Sequence, residues 1–282
     1  MERKMINLIE RGIRSFLFRI IGQKRLESAI LLISRLGSID LLMLAYKNMG
    51  ILKYENSLIS GEQFVISKVL KKYIKKEKPI FFDVGANIGD YAKELRTEFA
   101  NAIIYAFEPN KNTFETTQKN MGNLDIYCVN LGLGRQSEKE KIYSYASDKS
   151  SQHASIYKDV LLDFHKVESI VEIEIELTTI DKFCSNQQID FIDFLKVDVE
   201  GHEIEVLKGA KNMINEKKIE IIQFEFNVCN VISRVFLKDF YEILNNYEIY
   251  RLDSNTLIPL FEYNFRNEIF QFQNLLAIKK LE

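Results

Sequence analysis

Ile80-Phe81-Phe82-Asp83-Val84-Gly85-Ala86-Asn87-Ile88-Gly89 is the stretch on which the fold turns. Pro79 precedes it, and a short apolar run then breaks into a glycine turn. A run without polar alternation suits a strand buried on both faces of a parallel sheet. Beyond the turn, apolar spacing predicts a helix over 88–99, a strand over 102–107, a helix over 111–121 and a strand over 126–129. Such alternation defines right-handed βαβ units and an α/β domain.

Further along, 141–145 and 171–177 read as strands, and the polar segment 147–165 between them as a loop or loosely helical insertion, a common place for a lid. Val171, Ile173, Ile175 and Leu177 alternate with Glu172, Glu174 and Glu176, the pattern of a half-exposed strand, placed here at a sheet edge. The βα rhythm resumes with a strand over 191–197, a helix over 203–215, a strand over 219–226 and a helix over 236–245. Strands over 248–252 and 272–278 follow.

Upstream, Leu8, Ile9, Ile13, Phe16, Leu17, Ile20 and Ile21 recur at helical spacing, and glycines at 22, 37, 50 and 61 divide the region into short helices. The expected organisation is a helical N-terminal extension over 1–78 and a catalytic domain over 79–282. Charge divides the same way: 16 Lys and Arg stand against 7 Asp and Glu up to Lys78, and 22 against 33 beyond it. A solvated helical face explains the basic excess, and so does attraction to an anionic membrane surface or a phosphate-bearing partner. The N-terminal helices are equally suited to pairing two copies of the chain.

Three dispersed cysteines, Cys128, Cys184 and Cys229, form neither a disulfide framework nor a zinc pattern. The apolar run at 16–21 is interrupted by Arg19, and no stretch of about 18 apolar residues is present. The expectation is a cytoplasmic protein with possible peripheral membrane contact and no nucleic-acid partner.

The glycine turn narrows the ligand. A dinucleotide fingerprint carries three glycines as G-x-G-x-x-G, whereas here Gly85 and Gly89 remain and Asn87 replaces the middle one. Asp83 and Asn87 therefore bring polar side chains suited to a cationic amino acid rather than a diphosphate. Glu108, 23 residues beyond Gly85, closes a strand where an acid accepts hydrogen bonds from ribose hydroxyls. Asn130 closes the next strand, either to read an adenine edge or as a turn residue.

Seven ordered motifs carry a family resemblance. Asp83-Val84-Gly85-Ala86-Asn87-Ile88-Gly89-Asp90-Tyr91, Ala106-Phe107-Glu108-Pro109, Asn130-Leu131-Gly132-Leu133-Gly134, Thr179-Ile180-Asp181-Lys182-Phe183, Phe194-Leu195-Lys196-Val197-Asp198-Val199-Glu200-Gly201-His202-Glu203, Gln223-Phe224-Glu225-Phe226 and Asn274-Leu275-Leu276-Ala277 together resemble the FkbM-type methyltransferases. The resemblance covers roughly 60–280. It implies a class I methyltransferase fold, Rossmann-like, with a seven-stranded mostly parallel sheet whose last strand is antiparallel. It also implies methyl transfer from S-adenosyl-L-methionine to a hydroxyl, often of a sugar. Asp83, Gly85, Ala86, Asn87, Gly89, Tyr91, Glu108 and Asn130 then form the cofactor set. Ala92 departs from the threonine common in the family, and the N-terminal helices lie outside the likeness.

Across the crevice, Asp198, Glu225 and Asn227 sit at the ends of adjacent parallel strands, where ligands bind. They resemble the acid and acid-amide pair with which catechol-type and sugar O-methyltransferases hold Mg2+ or Mn2+ against an acceptor hydroxyl. The alternative is strand-end polar groups already satisfied, with Glu200 capping the next helix. His202 is the candidate general base, assisted by Asp198 and Glu225, since imidazole is neutral near pH 7. His153 and Glu200 are candidates for contact with the acceptor, expected to be a nucleotide-linked or lipid-linked sugar. The competing readings are an NAD(P)-dependent Rossmann oxidoreductase, which lacks a Tyr-x-x-x-Lys dyad here, and a membrane-surface scaffold with a vestigial core.

Overall fold

The computed structural model describes residues 12, 19, 21–145, 154–164 and 169–280. The chain divides into two compact units, Met1–Met49 and Gly50–Glu282. The second begins at Gly50 and not at Pro79, because the helical stretch formed by Glu62–Phe64, Val65–Leu70 and Lys71–Tyr73 belongs to its core. Val65, Ile66, Val69 and Leu70 pack with Phe81, Ile104, Phe194 and Ile278. The middle of this stretch, Val65–Leu70, is π-helical.

Eleven strands are formed among the described residues: β1 (Ile80–Val84), β2 (Ile103–Phe107), β3 (Ile126–Val129), β4 (Gly132–Leu133), β5 (Glu138–Tyr145), β6 (Ile170–Thr178), β7 (Ile192–Val197), β8 (Ile219–Phe226), β9 (Tyr247–Asp253), β10 (Thr256–Pro259) and β11 (Gln273–Lys279). The main sheet has the order β10-β9-β11-β8-β7-β1-β2-β3. From β3 to β8 the pairings are parallel, and β11 enters antiparallel between β8 and β9. This is the class I methyltransferase sheet with one addition. The eighth strand, β10, folds back on β9 as an edge hairpin.

The apolar runs of β1, β7 and β8 serve both faces at once. Phe81, Phe194 and Ile221 face the 62–73 helix and Asp90–Glu98, while Phe82, Leu195 and Ile222 face Ile180–Gln187, Glu203–Lys208 and Leu237–Ile243. Successive residues on a strand point to opposite faces, so an unbroken apolar run is what two helical layers require.

The half-exposed strand is placed differently from expectation. β6 does not lie at the edge of the main sheet; it is the middle strand of a separate three-stranded sheet, β4-β6-β5. Its alternation holds, with Ile175 and Leu177 buried and Glu172, Glu174 and Glu176 exposed. Within the insertion, Ser155 bridges Tyr143 and Val160–Phe164 forms a short π turn.

Candidate active site

All the parallel strands of the main sheet end on one side, and their ends open into a cavity of about 850 Å³. Gly85, Ala86, Asn87, Glu108, Lys196, Asp198, Glu200, His202, Glu225 and Asn227 line it, with Tyr91, Tyr54 and Glu62 on the side of the 57–73 helices. Most of the site residues expected from the sequence thus meet at one cavity.

The glycine turn is held by its neighbours. Gly85 N and Ala86 N donate to the Phe107 carbonyl at 3.1 and 2.9 Å. Gly85 has φ +80°, and a Cβ there would lie 1.8 Å from the Asp198 carbonyl oxygen. The missing side chain therefore lets the β1 loop touch the β7 loop, joining the two halves of the site. Asn87 adopts φ +49° and donates its N–H to Glu108 Oε2 at 3.0 Å; its own Oδ1 is buried with no partner. Asn110 N donates to Glu108 Oε1 at 2.9 Å. Burial raises the Glu108 carboxyl to about 7, against the pull of the two amides. A carboxylate offers about four lone-pair sites, so capacity remains for ribose hydroxyls.

Three cofactor candidates, Gly89, Asn130 and Asp83, stand apart from the cavity wall. Asn130 Nδ2 donates to the carbonyls of Glu108 and Pro109 at 2.9 and 3.0 Å, so its amide pins a strand-end turn. Asp83 is fully buried, and neither carboxylate oxygen makes a hydrogen bond of normal geometry. Its carboxyl is raised to about 6 by burial, with Lys196 opposing and Asp198 and Glu62 adding.

Lys196 is the residue that sequence reading missed. Its Nζ lies 2.9 Å from Asp198 Oδ2 and 3.9 Å from Asp83 Oδ1, and 4.7 Å above the Tyr91 ring. Tyr91 donates to Gln223 Oε1 at 2.9 Å, and Gln223 Nε2 to Glu62 Oε1 at 3.3 Å. Register sets Asp83, Lys196 and Gln223 side by side on β1, β7 and β8, a polar row across an apolar sheet.

The β7 loop is shaped by a second missed residue. Glu203, not Glu200, captures the loop amides: its Oε1 accepts from Val199 N at 3.0 Å and Gly201 N at 3.1 Å. Burial raises its carboxyl to about 7. Glu200 takes φ +52°, and its carbonyl accepts from Ser155 Oγ at 2.8 Å, tying the insertion to the loop. His202 begins the Glu203–Lys208 helix; its Nδ1 lies 3.5 Å from the Tyr157 hydroxyl, and burial holds the imidazolium below its ordinary range. Tyr157 lies in the insertion, which sequence reading treated as a whole. His153 lies outside the described residues.

The donor set does not fit a divalent cation. Asp198 is engaged by the Lys196 ammonium, Asn227 Oδ1 accepts from Cys229 N at 2.7 Å, and burial beside Asp198 pushes the Glu225 carboxyl well up toward its neutral form. Among the described residues no three His, Cys, Asp or Glu side chains are arranged as ligands. The expected Asp198, Glu225 and Asn227 metal set is therefore already engaged within the protein, Asp198 by Lys196 and Asn227 by the Cys229 amide.

The nucleoside site is consistent with S-adenosylmethionine. The unpartnered Asn87 Oδ1, the spare lone pairs of Glu108 and the carboxylates beside Tyr91 are acceptors, which suit ribose hydroxyls, an ammonium and a sulfonium.

Strand order, the antiparallel β11 and the glycine turn facing Glu108 define a class I methyltransferase fold. The chain belongs to the FkbM methyltransferase family: the Methyltransferase FkbM domain matches residues 83–247. It is similar to the hexuronic acid methyltransferase AglP of Haloferax volcanii, 29% identical over 170 residues, covering 60% of this chain and 65% of that one. It is also similar to the 2-O-methyltransferase NoeI of Sinorhizobium fredii, 23% identical over 176 residues, covering 60% and 70%. The chain thus spans slightly less than two thirds of the first relative. A crystal structure of the FkbM methyltransferase of Methylobacillus flagellatus aligns with a TM-score of 0.47 at 16% identity, over 76% of this chain and 47% of that one. Family membership sets aside the oxidoreductase reading.

Proposed function

We propose that this protein is an S-adenosylmethionine-dependent O-methyltransferase acting on a sugar hydroxyl, with His202 as general base. The observation that carries the reading is the meeting of His202, Asp198 and Glu225 with the glycine turn and Glu108 in one cavity. Relatives named for methylating hexuronic acid and for 2-O-methylation support an acceptor of this kind.

The cofactor, when bound, supplies a methyl already activated on a sulfonium. What remains for the protein is alignment and removal of one proton. Glu108 and the Gly85–Asn87 backbone hold the nucleoside end. In the tautomer with its proton on Nδ1, 3.5 Å from the Tyr157 hydroxyl, His202 keeps a lone pair on Nε2 to take the acceptor proton. Lys196 pairs with Asp198 and fixes it, and Glu225, which burial pushes toward its neutral form, lines the same cavity beside it.

The wall also bears on the acceptor. Among the described residues Lys196 is its one Lys or Arg, against seven carboxylates, Glu62, Asp90, Glu94, Glu108, Asp198, Glu200 and Glu225. A diphosphate near the reacting hydroxyl would meet like charge, which favours a sugar without phosphate over a nucleotide-linked one.

Thermal melting with S-adenosylhomocysteine, followed by mass spectrometry of products from a panel of neutral, amino and nucleotide-linked sugars, tests this. Stabilisation by S-adenosylhomocysteine, of about 2.7 kcal/mol at a hundredfold excess over Kd, is expected. So is a 14-dalton gain on a sugar without phosphate that persists in EDTA. Stabilisation by NAD alone, or product only from phosphate-bearing sugars, overturns the reading.

A further inference from the structure

Among its described residues the first compact unit holds two helices, Gln23–Leu36 and Leu41–Asn48, joined by a 111° bend. Their apolar residues face outward. Ile30, Leu31, Leu32 and Ile33 are all exposed, as are Leu36, Ile39, Leu42, Met43 and Leu44, while the residue buried in the first helix is a serine, Ser34.

Four consecutive helical positions at about 100° each point around the whole circumference. A protein partner covers one side of a helix, whereas residues 30–33 require surroundings on every side. A helical turn apolar all round, such as 30–33, belongs in a protein core or in lipid. Neither helix is long enough to cross a membrane: 14 residues at about 1.5 Å each fall short of a roughly 30 Å hydrocarbon core. The bend turns the second helix away from the first.

Charge points to the kind of surface. Between 29 and 46 only Arg35 and Asp40 are charged, and the Asp40 carboxylate is engaged in capping the second helix, accepting from Leu42 N and Met43 N at 2.9 and 3.0 Å. Lys24 and Arg25 open the first helix and Lys47 stands in the last turn of the second, so cations flank the apolar stretch at both ends. Basic residues at the edges of an apolar helical segment meet anionic headgroups while the apolar part enters the acyl boundary.

We infer that the 23–48 helix pair is a monotopic anchor, embedded in one leaflet of an anionic bilayer without crossing it. This goes beyond the catalytic reading and does not depend on it.

Co-sedimentation of the full-length protein with phosphatidylcholine vesicles, with and without phosphatidylglycerol, tests the anchor. Binding to the phosphatidylglycerol vesicles is expected, weaker by about tenfold or more to phosphatidylcholine alone. The triple variant Leu32→Asp, Leu36→Asp, Leu44→Asp is expected to lose the binding by at least the same factor. Its stabilisation by S-adenosylhomocysteine, or failing that its far-ultraviolet melting, should match the unmodified chain and reports that the catalytic unit is folded. Protein left in the supernatant with both vesicle types overturns the inference. So does undiminished binding by the variant, or a dimer that the variant abolishes without any vesicle binding, which would assign the helices to a second copy.

Discussion

At His202 burial and chemistry work together. Burial lowers the imidazolium pKa from the ordinary 6.5, so the neutral ring persists through neutral pH and protonates only below that value. kcat/KM is therefore expected to stay level across neutrality and to fall on the acid side below about 6.5. His202→Ala should lower kcat by about 10²- to 10⁴-fold and remove that limb. Glu203 makes a different claim. Its folded pKa of about 7 exceeds the ordinary 4.5, so between those values the folded chain keeps a proton that the unfolded chain has released. Its contribution makes stability fall as pH rises through that window and level off above about 7. Glu203→Gln should gain on the unmodified protein by on the order of 3 kcal/mol between pH 4 and pH 8 in paired melting curves. Glu203→Ala strands two loop amides and should cost about 2 kcal/mol or more at either pH. Of these residues, His202 and Asp198 were legible from motif position. Lys196 was readable in principle, since the one cation of a largely apolar strand, two residues from Asp198, shares its face and needs a buried anion. Glu203 was not, because its partners are amides of an irregular loop whose shape no residue pattern encodes.

The elements legible in the sequence are those whose apolar spacing answers to two helical layers. The predicted 111–121 helix and the 126–129 and 219–226 strands coincide with the observed ones. Others depend on contacts distant in the chain. The helix expected over 203–215 is broken at Gly209, where a Cβ would lie 2.0 Å from the Gly134 carbonyl oxygen. That close approach between β4's loop and the helix layer has no local signature. β4 and β10 are too short to show alternation, and β6 revealed its exposed face but not which sheet it joins. The β1 turn and the β7 loop are likewise one element in space. Gly85→Ala would force a Cβ onto the Asp198 carbonyl at a positive φ, and a cost of more than about 3 kcal/mol is expected, with loss of cofactor stabilisation. Calorimetry with and without S-adenosylhomocysteine measures both.

For the whole molecule, the division at 49/50 matters more than the charge boundary near 78. Removing residues 1–49 should leave the second unit folded, with a melting temperature within a few degrees of the full chain. Removing residues 1–78 strips Val65, Ile66, Val69 and Leu70 from the core, each worth about 1.5–3 kcal/mol, a sum comparable with the total stability of a domain. That truncation should yield no cooperative transition in circular dichroism. The change of apolar pattern at Pro79 pointed to a boundary there, but the packing of 65–70 against the sheet sets it at 49/50.

The position of β11 has one more consequence, for the order in which the chain is made. β11 lies between β8 and β9, both of which leave the ribosome before it. Until Leu275, Leu276, Ala277 and Ile278 emerge, the β9–β10 hairpin has no strand to dock on, and β8 presents an open edge of backbone donors and acceptors. A nascent chain that has already built its glycine turn and β7 loop must therefore wait, half a sheet exposed, for its final strand. That interval is where translation pauses or a chaperone would decide between native insertion and aggregation.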